Sequence, residues 1–363
     1  MGFKTNKVKV DLCSYPPYLF LAPKKFGKTT FWFNLVKYVW GSDDKGLLIS
    51  FGNEEGYHSL DGIQVEVAKE WNAEYDEETE LRGFIQIVDD VLENNKENGI
   101  KAVCFDTMDT MVEVGTKEVF RQHKKEKKTE CKSLNDAFSG YGRGKARLLE
   151  LIDTQVERLR DAGIAVFYLC HIKNKEKTDL MSGEKYEMIT NNLSDDIYSH
   201  IADAAQIVMV GALDREINNG KILNENRVVY LRGNSTIDAG GRFTEIAEKI
   251  ELSPEAFMNA FEAAVKASMK KDVTDKDIEK MKKAEDKKRV ENAAIALKKE
   301  KEKSKVDEDK NVELIGIIQT KFTSCSEDVK ADIKKIMAEN NFTSFKETNI
   351  PTQALEEIVK VIG

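Results

Sequence analysis

A glycine, a lysine and a threonine stand together near the N-terminus, between an apolar run and an amphipathic one. Gly27, Lys28 and Thr29 are the residue types that bind a phosphate chain. Backbone amides curl around its oxygens, the lysine reaches its outer phosphates, the hydroxyl holds Mg²⁺, and a helix N-terminus faces the anion. The predicted P-loop, which binds ATP and Mg²⁺, consists of Ala22, Pro23, Lys24, Lys25, Phe26, Gly27, Lys28, Thr29 and Thr30.

The predicted loop departs from the usual pattern at its first residue. Ala22 stands where this motif typically has glycine. Alanine is the smallest alternative to glycine and holds the turn if its φ angle is negative. The prediction of a phosphate site therefore requires a backbone at Ala22 that is not left-handed.

Asp106 is the predicted second metal residue. It ends the apolar run 102–105, and a carboxylate at the end of a buried strand beside a P-loop can lie near the magnesium ion. Thr29 and Asp106 are therefore predicted to hold the metal. Asp109, three residues further on, is predicted to be a turn residue or a helix cap.

Two further residues are predicted to face the γ-phosphate. The attacking water needs a group that orients it, and Glu54, which follows the apolar run 46–51, is the predicted base, with Glu55 as the alternative. His171 follows the run 164–170 and is predicted to hydrogen-bond a γ-phosphate oxygen and so report the nucleotide state. The other histidines are interpreted as ordinary polar residues: His58, His123 and His200.

Alternating strands and helices must position these residues. Up to about residue 265, short apolar runs rich in β-formers alternate with longer amphipathic runs, which is the pattern of an α/β fold with a mostly parallel sheet flanked by helices. The uninterrupted apolar runs predict strands at the sheet centre. Strands are predicted at 18–21, 46–51, 102–105, 164–170, 205–210 and 227–231. Helices are predicted at 29–40, 81–97, 144–162 and 254–266.

Two long polar intervals, 115–143 and 172–196, interrupt this pattern and are predicted to be loops. Loops of such length inside a compact domain are usually functional or mobile. Both follow predicted central strands, where α/β proteins bind their ligands. The basic residues predicted to bind a ligand there are Lys124, Lys125, Lys127, Lys128 and Arg143 in the first interval, and Lys173, Lys175 and Lys177 in the second.

The composition changes beyond about residue 268. Lysine, glutamate and aspartate dominate 269–310, which predicts a charged helical or flexible linker. Apolar periodicity returns at 312–322, 329–337 and 354–362 and predicts short helices. The expected organisation is a nucleotide-binding core over 1–268, the linker over 269–310, and a small α-helical module over 311–363.

The overall composition excludes several classes of protein. The chain has 363 residues, of which 41% are hydrophobic and 33% charged, as in a folded protein of two or three domains. The net charge is −8, so any nucleic-acid contact must be local. Five cysteines without a CxxC pair favour a reducing compartment. No apolar run approaches the roughly 20 residues of a membrane span, so a soluble, cytoplasmic protein without a membrane partner is expected.

Together these motifs resemble the RecA-like recombination ATPases, in particular the compact phage-encoded proteins associated with single-strand annealing. The resemblance covers about residues 15–262. It rests on the segments 23–30, Glu54-Glu55-Gly56, Phe105-Asp106-Thr107, Tyr141-Gly142-Arg143-Gly144, and 167–171 with its lysine-rich continuation.

The resemblance implies a RecA-like P-loop core in which Glu54 is the base for water and His171 senses the γ-phosphate. It also implies that the loops after the two central strands contact DNA, through the basic residues of both intervals. Such ATPases often complete their site with a basic residue from the neighbouring subunit. Arg232 is the candidate and Arg242 the second choice, so a ring or filament of identical subunits is expected.

The function expected from the resemblance is ATP-dependent recombination or annealing of single-stranded DNA by an oligomer, in the host cytoplasm if the protein is phage-encoded. Two alternatives remain open. One is a regulatory P-loop NTPase whose C-terminal module recruits a protein partner without DNA. The other is a hexameric helicase-type motor. Unwinding assays separate the helicase from the annealing protein, and DNA-binding assays separate both from the regulator.

Overall fold

The computed structural model describes residues 18–52, 56–73, 82–219, 221–269, 274–340, 342–346 and 350–363. The chain divides into two compact units, Met1–Ala293 and Ala294–Gly363. Each unit has its own cluster of buried apolar side chains. Among the helices in these ranges, none combines the length and the apolar character that crossing a bilayer requires.

Strands in the described part of the first unit form one sheet. They are β1 (Tyr18–Ala22), β2 (Gly46–Phe51), β3 (Gln64–Ala68), β4 (Ala102–Asp106), β5 (Ala165–Thr178), β6 (Lys185–Asn191), β7 (Ile207–Asn218), β8 (Lys221–Tyr230), β9 (Gly240–Gly241) and β10 (Lys249–Glu251).

The strand order is β10-β8-β7-β1-β5-β4-β2-β3, with β6 paired to β5 and β9 paired to β7. From β7 to β3 all neighbours are parallel, whereas β6, β8, β9 and β10 pair antiparallel. Every residue of β1 and β4 is buried, as expected of strands covered on both faces.

Helices flank the sheet and build the second unit. Their bounds are α1 (Lys28–Trp40), α2 (Phe84–Asn98), α3 (Met108–Lys127), α4 (Arg143–Asp161), α5 (Asp195–Ala204), α6 (Pro254–Ala267), α7 (Asp275–Phe322), α8 (Glu327–Glu339) and α9 (Thr352–Ile362). Local sequence explains several ends. The hydroxyl of Ser253 caps α6 by accepting from the Ala256 amide, with Pro254 at the first helical position, and α1 ends at the left-handed Gly41.

Aromatic packing joins β1 to α1 and α6, which lie on the same face of the sheet. Tyr18 of β1 stacks on Phe167 of β5 with ring centroids 5.1 Å apart. Phe257 of α6 makes edge contacts with Tyr18 and with Phe31 of α1, each at 6.0 Å. Ring pairs at these separations stabilise a core beyond simple burial. The strand before the predicted P-loop and the helix after it are therefore both anchored in one apolar cluster.

The prediction of a loop over 115–143 is wrong for its first part, because α3 continues to Lys127. Lys124, Lys125 and Lys127 occupy the last turn of that helix. Cationic side chains are favourable there because the unpaired carbonyls make a helix C-terminus negative. The run of lysines correctly indicated exposure to solvent, but it did not show that these residues belong to a helix.

The prediction of a loop over 172–196 is also wrong. Strand β5 continues to Thr178, β6 returns antiparallel to Asn191, and α5 begins at Asp195. Strand residues beyond the edge of a sheet are solvated on both faces, so they lack the apolar alternation by which a strand is recognised in a sequence. The sequence pattern therefore identified only the buried part of β5.

The second unit contains the three helical segments expected from apolar periodicity. The end of α7, α8 and α9 surround a core in which Ile318, Ile333, Leu355 and Ile358 are fully buried. The segment predicted as a charged linker is helical from Asp275 onward. Apolar residues returning at helical spacing thus mark the helices that share this core.

Candidate nucleotide-binding site

The carboxyl ends of β1, β5 and β4 lie side by side. Ala22 at the end of β1 pairs with His171 of β5, and Asp106 at the end of β4 pairs with Leu169 of the same strand. Neighbouring strands are about 4.8 Å apart. The strand order therefore brings the predicted P-loop, His171 and Asp106 to one edge of the sheet, called the nucleotide edge below.

The turn between β1 and α1 has the backbone of a phosphate cradle. Gly27 is left-handed with φ 107°, and Lys25 has φ 60°. The Phe26 amide donates to the carbonyl of Pro23 at 3.3 Å, and α1 begins directly afterwards at Lys28. Glycine is needed at residue 27 because a side chain would strain this backbone. The first amides of a helix have no partner within the helix, so they are available to an anion in the cradle.

Lys28 lies along the loop. Its ammonium donates to the carbonyl oxygens of Ala22 and Pro23 at 3.1 Å each, and the residue is only 6% exposed. Phosphate oxygens are stronger acceptors for an ammonium than neutral carbonyls are. The lysine can therefore exchange two backbone acceptors for a polyphosphate without leaving its position.

Thr29 and Asp106 are in direct contact although they come from different elements. The Thr29 hydroxyl donates to Oδ2 of Asp106 at 2.8 Å, and Asp106 is 6% exposed. Oxygen ligands of this kind suit Mg²⁺, which is usually held by one or two protein groups together with phosphates and water. The cradle, the buried ammonium and this oxygen pair fit a nucleotide with its magnesium ion.

Ala22 fits the loop because a neighbouring strand makes room for it. Its φ angle is not positive, as the prediction required. A side chain at Gly211 of β7 would place its Cβ 2.9 Å from the Ala22 Cβ and 2.4 Å from the Phe26 ring. Such distances are shorter than carbon contacts allow. Gly211 thus accommodates both the alanine and the phenylalanine, and nothing in its local sequence indicated this role.

Arg227 of β8 is a second residue that sequence reasoning missed. Its Nη1 donates to the carbonyl oxygen of Phe26 at 3.1 Å, and its guanidinium lies 5.9 Å from the centroid of the Phe26 ring. The contact fixes one carbonyl of the P-loop from outside the cradle. It joins residues 201 positions apart in the chain, so no local motif could show it.

His171 is held by Asp109, the first-turn carboxylate of α3. The ring Nδ1 lies 2.7 Å from Oδ2 of Asp109, and the His171 backbone amide donates to Oδ1 at 3.3 Å. Burial raises the pKa of the Asp109 carboxyl, but the hydrogen bond and charge of His171 outweigh it and lower this pKa to about 2. The prediction that Asp109 serves as a turn residue or cap is wrong, because Thr107 is the N-cap of α3.

The predicted catalytic glutamate, Glu54, and its alternative, Glu55, lie outside the described residues. Strand β2 ends at Phe51, and its Ser50 pairs with Asp106 of β4. The chain therefore enters this segment next to the nucleotide edge, on the far side of β4 from β5.

Two antiparallel arms extend beyond the nucleotide edge on either side of β1. Strand β5 continues seven residues past His171 to Thr178, paired with β6, a length of about 23 Å. Strand β7 continues past Val210, which is level with Leu21, to Asn218, paired with β8. Because β1 lies between β5 and β7, the P-loop lies between the bases of the two arms.

The β5–β6 arm separates its charges between its two faces. Paired residues point to the same side of a sheet, and successive residues alternate. Pairing places Lys173, Lys175 and Lys177 on one face together with Thr190, Met188 and Tyr186. Among the described pairs of β5 and β6, this face carries no acidic side chain, whereas Glu176 pairs with Glu187 on the other face. The group Lys173, Lys175, Lys177 and Tyr186 is called the lysine face below.

One carboxylate from α5 reaches the lysine face. Lys175 and Lys177 both form ion pairs with Asp195, at 2.9 and 3.2 Å, and Lys175 also donates to the carbonyl of Leu193. Hydrogen bonds from the two lysines lower the pKa of Asp195. Lys173 and Tyr186 are exposed, the latter to 39%. Two of the three ammonium groups therefore share one carboxylate, and the face keeps an excess of positive charge.

The basic residues predicted in the first interval lie elsewhere. Lys124 and Lys127 are paired with Glu130 and Glu126, and Lys128 is the C-cap of α3. A helix of 20 residues spans about 30 Å, so the lysines at its end are roughly that far from its start beside Asp106. Arg143 is the first residue of α4 and donates to the Phe138 carbonyl. The eight predicted DNA-binding residues therefore do not form one patch.

The two candidate arginines are both tied to backbone carbonyls of this chain. Arg232 donates to the carbonyl of Thr244 at 3.4 Å, and Arg242 to that of Asp203 at 2.8 Å. Arg232 follows β8, whose last residue Tyr230 is level with Val210. It therefore lies below the nucleotide edge.

A family model that describes an AAA domain matches residues 15–243, more than half of the chain. The chain belongs to the AAA domain family. The match spans β1, the P-loop, β4 and β5, and it identifies a P-loop ATPase core. The mostly parallel sheet with flanking helices and the AAA-domain match confirm the predicted α/β fold class of a P-loop ATPase.

Other comparisons add little to this assignment. A KaiC-like protein from the hyperthermophilic archaeon Pyrococcus horikoshii is similar at 13% identity, with 61% of this chain and 81% of that chain covered and a TM-score of 0.33. A likeness at this level supports no argument about function. No curated protein sequence matches the chain.

Proposed function

We propose that this AAA-domain protein binds MgATP, hydrolyses it, and acts as an oligomer that binds single-stranded DNA during recombination or annealing. One observation carries the proposal. His171 at the nucleotide edge and the lysines at 173, 175 and 177 are every second residue of one strand, β5, and therefore lie on the same face of it. A change in the hydrogen bonding of His171 therefore acts directly on the strand that displays the lysine face.

The nucleotide part of the proposal assigns a role to each residue of the edge. Lys28 neutralises the outer phosphates, and Thr29 with Asp106 would hold the magnesium ion, which supplies charge neutralisation at the phosphates. Glu54 is proposed to orient the attacking water, because β2 enters its segment beside β4. Arg227 keeps the Phe26 carbonyl turned away from the cradle.

The DNA part of the proposal rests on the lysine face. Ammonium groups neutralise phosphates, and an aromatic ring offers a surface on which a base can stack without sequence preference. The spacing of two residues along a strand is about 6.6 Å, close to the distance between successive phosphates of an extended single strand. Phosphates would compete with Asp195 for Lys175 and Lys177, so binding should be strongly salt-dependent.

The proposal also includes the other predicted DNA contacts and the oligomer. Lys124, Lys125, Lys127 and Lys128 lie at the far end of α3 and would contact only a strand that continues past the arm. Arg232 is proposed to complete a neighbour's site in a homo-oligomer, with Arg242 as the alternative. The helical unit Ala294–Gly363, which has its own core, is proposed to recruit a protein partner.

Fluorescence anisotropy with a labelled single-stranded oligonucleotide tests the DNA part. The triple variant Lys173→Ala, Lys175→Ala and Lys177→Ala removes the lysine face, and the matched control replaces Lys124, Lys125 and Lys127 on α3. With ATP at low salt we expect the first variant to lose at least tenfold in affinity and the control to lose much less. Equal losses would contradict the lysine face as the main contact.

The same assay separates the alternative functions. Absence of binding at low salt, with and without ATP, would favour a regulatory NTPase that acts through the unit Ala294–Gly363. Unwinding of a forked duplex would favour a helicase-type motor. Annealing of complementary strands without unwinding is the outcome expected here. Electron microscopy of the protein with single-stranded DNA and a non-hydrolysable ATP analogue shows whether rings or filaments form.

A further inference from the structure

His171 is fixed at two atoms by a single carboxylate. Asp109 accepts from the His171 backbone amide through Oδ1, at 3.3 Å, and contacts the ring Nδ1 through Oδ2, at 2.7 Å. The side chains of His171 and Asp109 are 13% and 17% exposed. The ring is therefore held in one orientation, with Nδ1 towards α3 and Nε2 on the opposite side of the ring.

The carboxylate decides which ring nitrogen carries the proton. Asp109 is ionised at neutral pH, because the ordinary pKa of an aspartate carboxyl lies well below 7 and this one accepts a hydrogen bond from the His171 backbone amide. An ionised carboxylate only accepts hydrogen bonds, so Nδ1 must donate to it. In the neutral ring Nε2 then has a lone pair and no proton. The neutral imidazole of His171 can consequently accept a hydrogen bond at Nε2 but cannot donate one.

A γ-phosphate oxygen of ATP also only accepts hydrogen bonds. Two acceptors cannot bind each other, so the neutral ring cannot make the γ-phosphate contact that the sequence predicts for His171. We propose that Asp109 is a positioning residue that makes His171 take up one proton at Nε2 when ATP binds, so that ATP binding is coupled to proton uptake. The proton comes from the solvent, the Nε2–H bond forms, and no covalent bond breaks. This inference rests on the proposed ATP binding.

Charged groups of both signs lie on the elements next to the His171 ring. Asp109 on α3 and Asp106 at the end of β4 contribute two carboxylates, whereas Lys28 at the start of α1 and Lys173 on β5 contribute two ammonium groups. Asp106 is engaged by Thr29, and the Lys28 ammonium lies 3.1 Å from the carbonyl of Ala22, the residue paired with His171. A phosphate chain adds negative charge to this group, which favours the protonated imidazole.

Replacing Asp109 by asparagine reverses the tautomer. An amide presents one acceptor, its oxygen, and one donor, its nitrogen. The His171 backbone amide can only donate, so it retains the oxygen at the position of Oδ1. The amide nitrogen then faces Nδ1 and donates to it, which moves the ring proton to Nε2. In Asp109→Asn the neutral ring donates to phosphate, and proton uptake is no longer needed.

Isothermal titration calorimetry in buffers of different ionisation enthalpy measures the proton uptake directly. The full-length chain is titrated at several pH values with magnesium and a non-hydrolysable ATP analogue, and separately with ADP. We expect the wild-type protein to take up as much as one proton more with the ATP analogue than with ADP. We expect that difference to vanish in Asp109→Asn and in His171→Gln, whose amide donates without titrating.

A matched control is provided by a second histidine–carboxylate pair. Asp153 of α4 contacts Nε2 of His200 on α5 at 2.9 Å. Asp153→Asn removes the same charge from a more exposed histidine–carboxylate pair on α4 and α5, and should leave the ATP-specific proton uptake unchanged. Nitrogen-15 NMR of labelled histidine supplies a second readout. The free wild-type protein should show His171 protonated at Nδ1, and free Asp109→Asn should show it protonated at Nε2.

The outcomes are distinct. Heat of binding that is independent of the buffer in the wild-type protein would overturn the coupling but leave ATP binding intact. ATP-specific proton uptake that persists in Asp109→Asn would assign the proton to another group and overturn the role of Asp109. No heat from the ATP analogue in the wild-type protein would overturn the proposed function itself. If Asp109→Asn fails to fold, His171→Gln and the wild-type NMR spectrum still decide.

Discussion

Replacing Gly211 by alanine tests how closely β7 packs against the P-loop. The added Cβ would lie 2.4 Å from Cε1 of Phe26 and 2.9 Å from the Cβ of Ala22. Carbon atoms at optimal contact are about 3.5–4.0 Å apart. Phe26 is only 3% exposed and Ala22 is fully buried in β1, so neither side chain can move aside without displacing the loop.

The magnitude follows from the cost of overpacking. Inserting a methyl group into a filled core typically costs about 1–3 kcal/mol. A free-energy difference of about 1.4 kcal/mol changes a binding constant tenfold. If this strain falls on the loop conformation that binds ATP, the affinity for ATP decreases by roughly 5-fold to 100-fold. Urea unfolding measures the first quantity, and calorimetric titration with MgATP measures the second.

Two further variants isolate the mechanism. Gly240 of β9 also pairs with β7, at Val208, but a Cβ there would meet nothing within 4 Å. Gly240→Ala should therefore be neutral or slightly stabilising, because alanine loses less backbone entropy on folding. Combining Gly211→Ala with Phe26→Ala should remove most of the clash, with a coupling energy of at least about 1 kcal/mol. A Gly211→Ala protein with wild-type stability and wild-type ATP affinity would refute the reasoning.

Three other changes have defined outcomes. Lys28→Ala should weaken MgATP binding about 100-fold, because one or two charged hydrogen bonds of about 1.5–3 kcal/mol each are lost. Glu54→Gln should still bind ATP but should not hydrolyse it. Calorimetry measures ATP binding by each variant, and phosphate release measures its hydrolysis of ATP. Arg227→Ala should raise the Kd for ATP several-fold while Arg227→Lys restores little, because lysine lacks the planar fork that contacts the Phe26 carbonyl and ring together. The lowered pKa of Asp109 stabilises the folded state at pH values above about 4, the usual pKa of this carboxyl, and this stabilisation disappears as the pH falls towards 2. When the free energy of unfolding is measured between pH 4 and pH 2, it should therefore fall less in Asp109→Asn than in the wild-type protein.

The fold of the core was predictable wherever strands are buried on both faces. The strand Gly46–Phe51 coincides with its prediction, and Tyr18–Ala22 and Ala102–Asp106 each extend one residue further than predicted. Uninterrupted apolar runs between amphipathic helices have few other interpretations in a globular protein. The exposed strands of the two arms were not predictable in this way, because residues that are solvated on both faces show no apolar alternation.

The position of the lysines illustrates the same limit. Composition distinguished both basic intervals but could not decide whether the lysines lie in a loop, a helix or a strand. In α3 the lysines at 124, 125 and 127 stabilise the end of a helix, whereas those at 173, 175 and 177 point to one face of a hairpin because strand residues alternate. The hairpin therefore places its positive charges in a row along one face, whereas the lysines at the end of α3 lie next to glutamates.

The nucleotide site divides in a similar way between local and distant contacts. The P-loop is a contiguous segment, so its chemistry could be predicted from the residue types and their spacing. Ala22, the one departure from the usual pattern, is explained only by Gly211 on a neighbouring strand. The role of Asp109 was predicted incorrectly from its local position. Its place three residues after Asp106 suggested a helix cap, but its partner is His171 on another element.

The amino-acid sequence by itself determined the cradle at Gly27 and Lys28, the central strands, and the class of ATPase to which the chain belongs. These features depend on neighbours along the chain and on periodicities of two or about four residues. Only the tertiary structure decided which groups meet across the sheet: Thr29 with Asp106 over 77 positions, His171 with Asp109 over 62, and Arg227 with Phe26 over 201. Strand order and register bring such residues together, and neither is encoded in any short stretch of sequence.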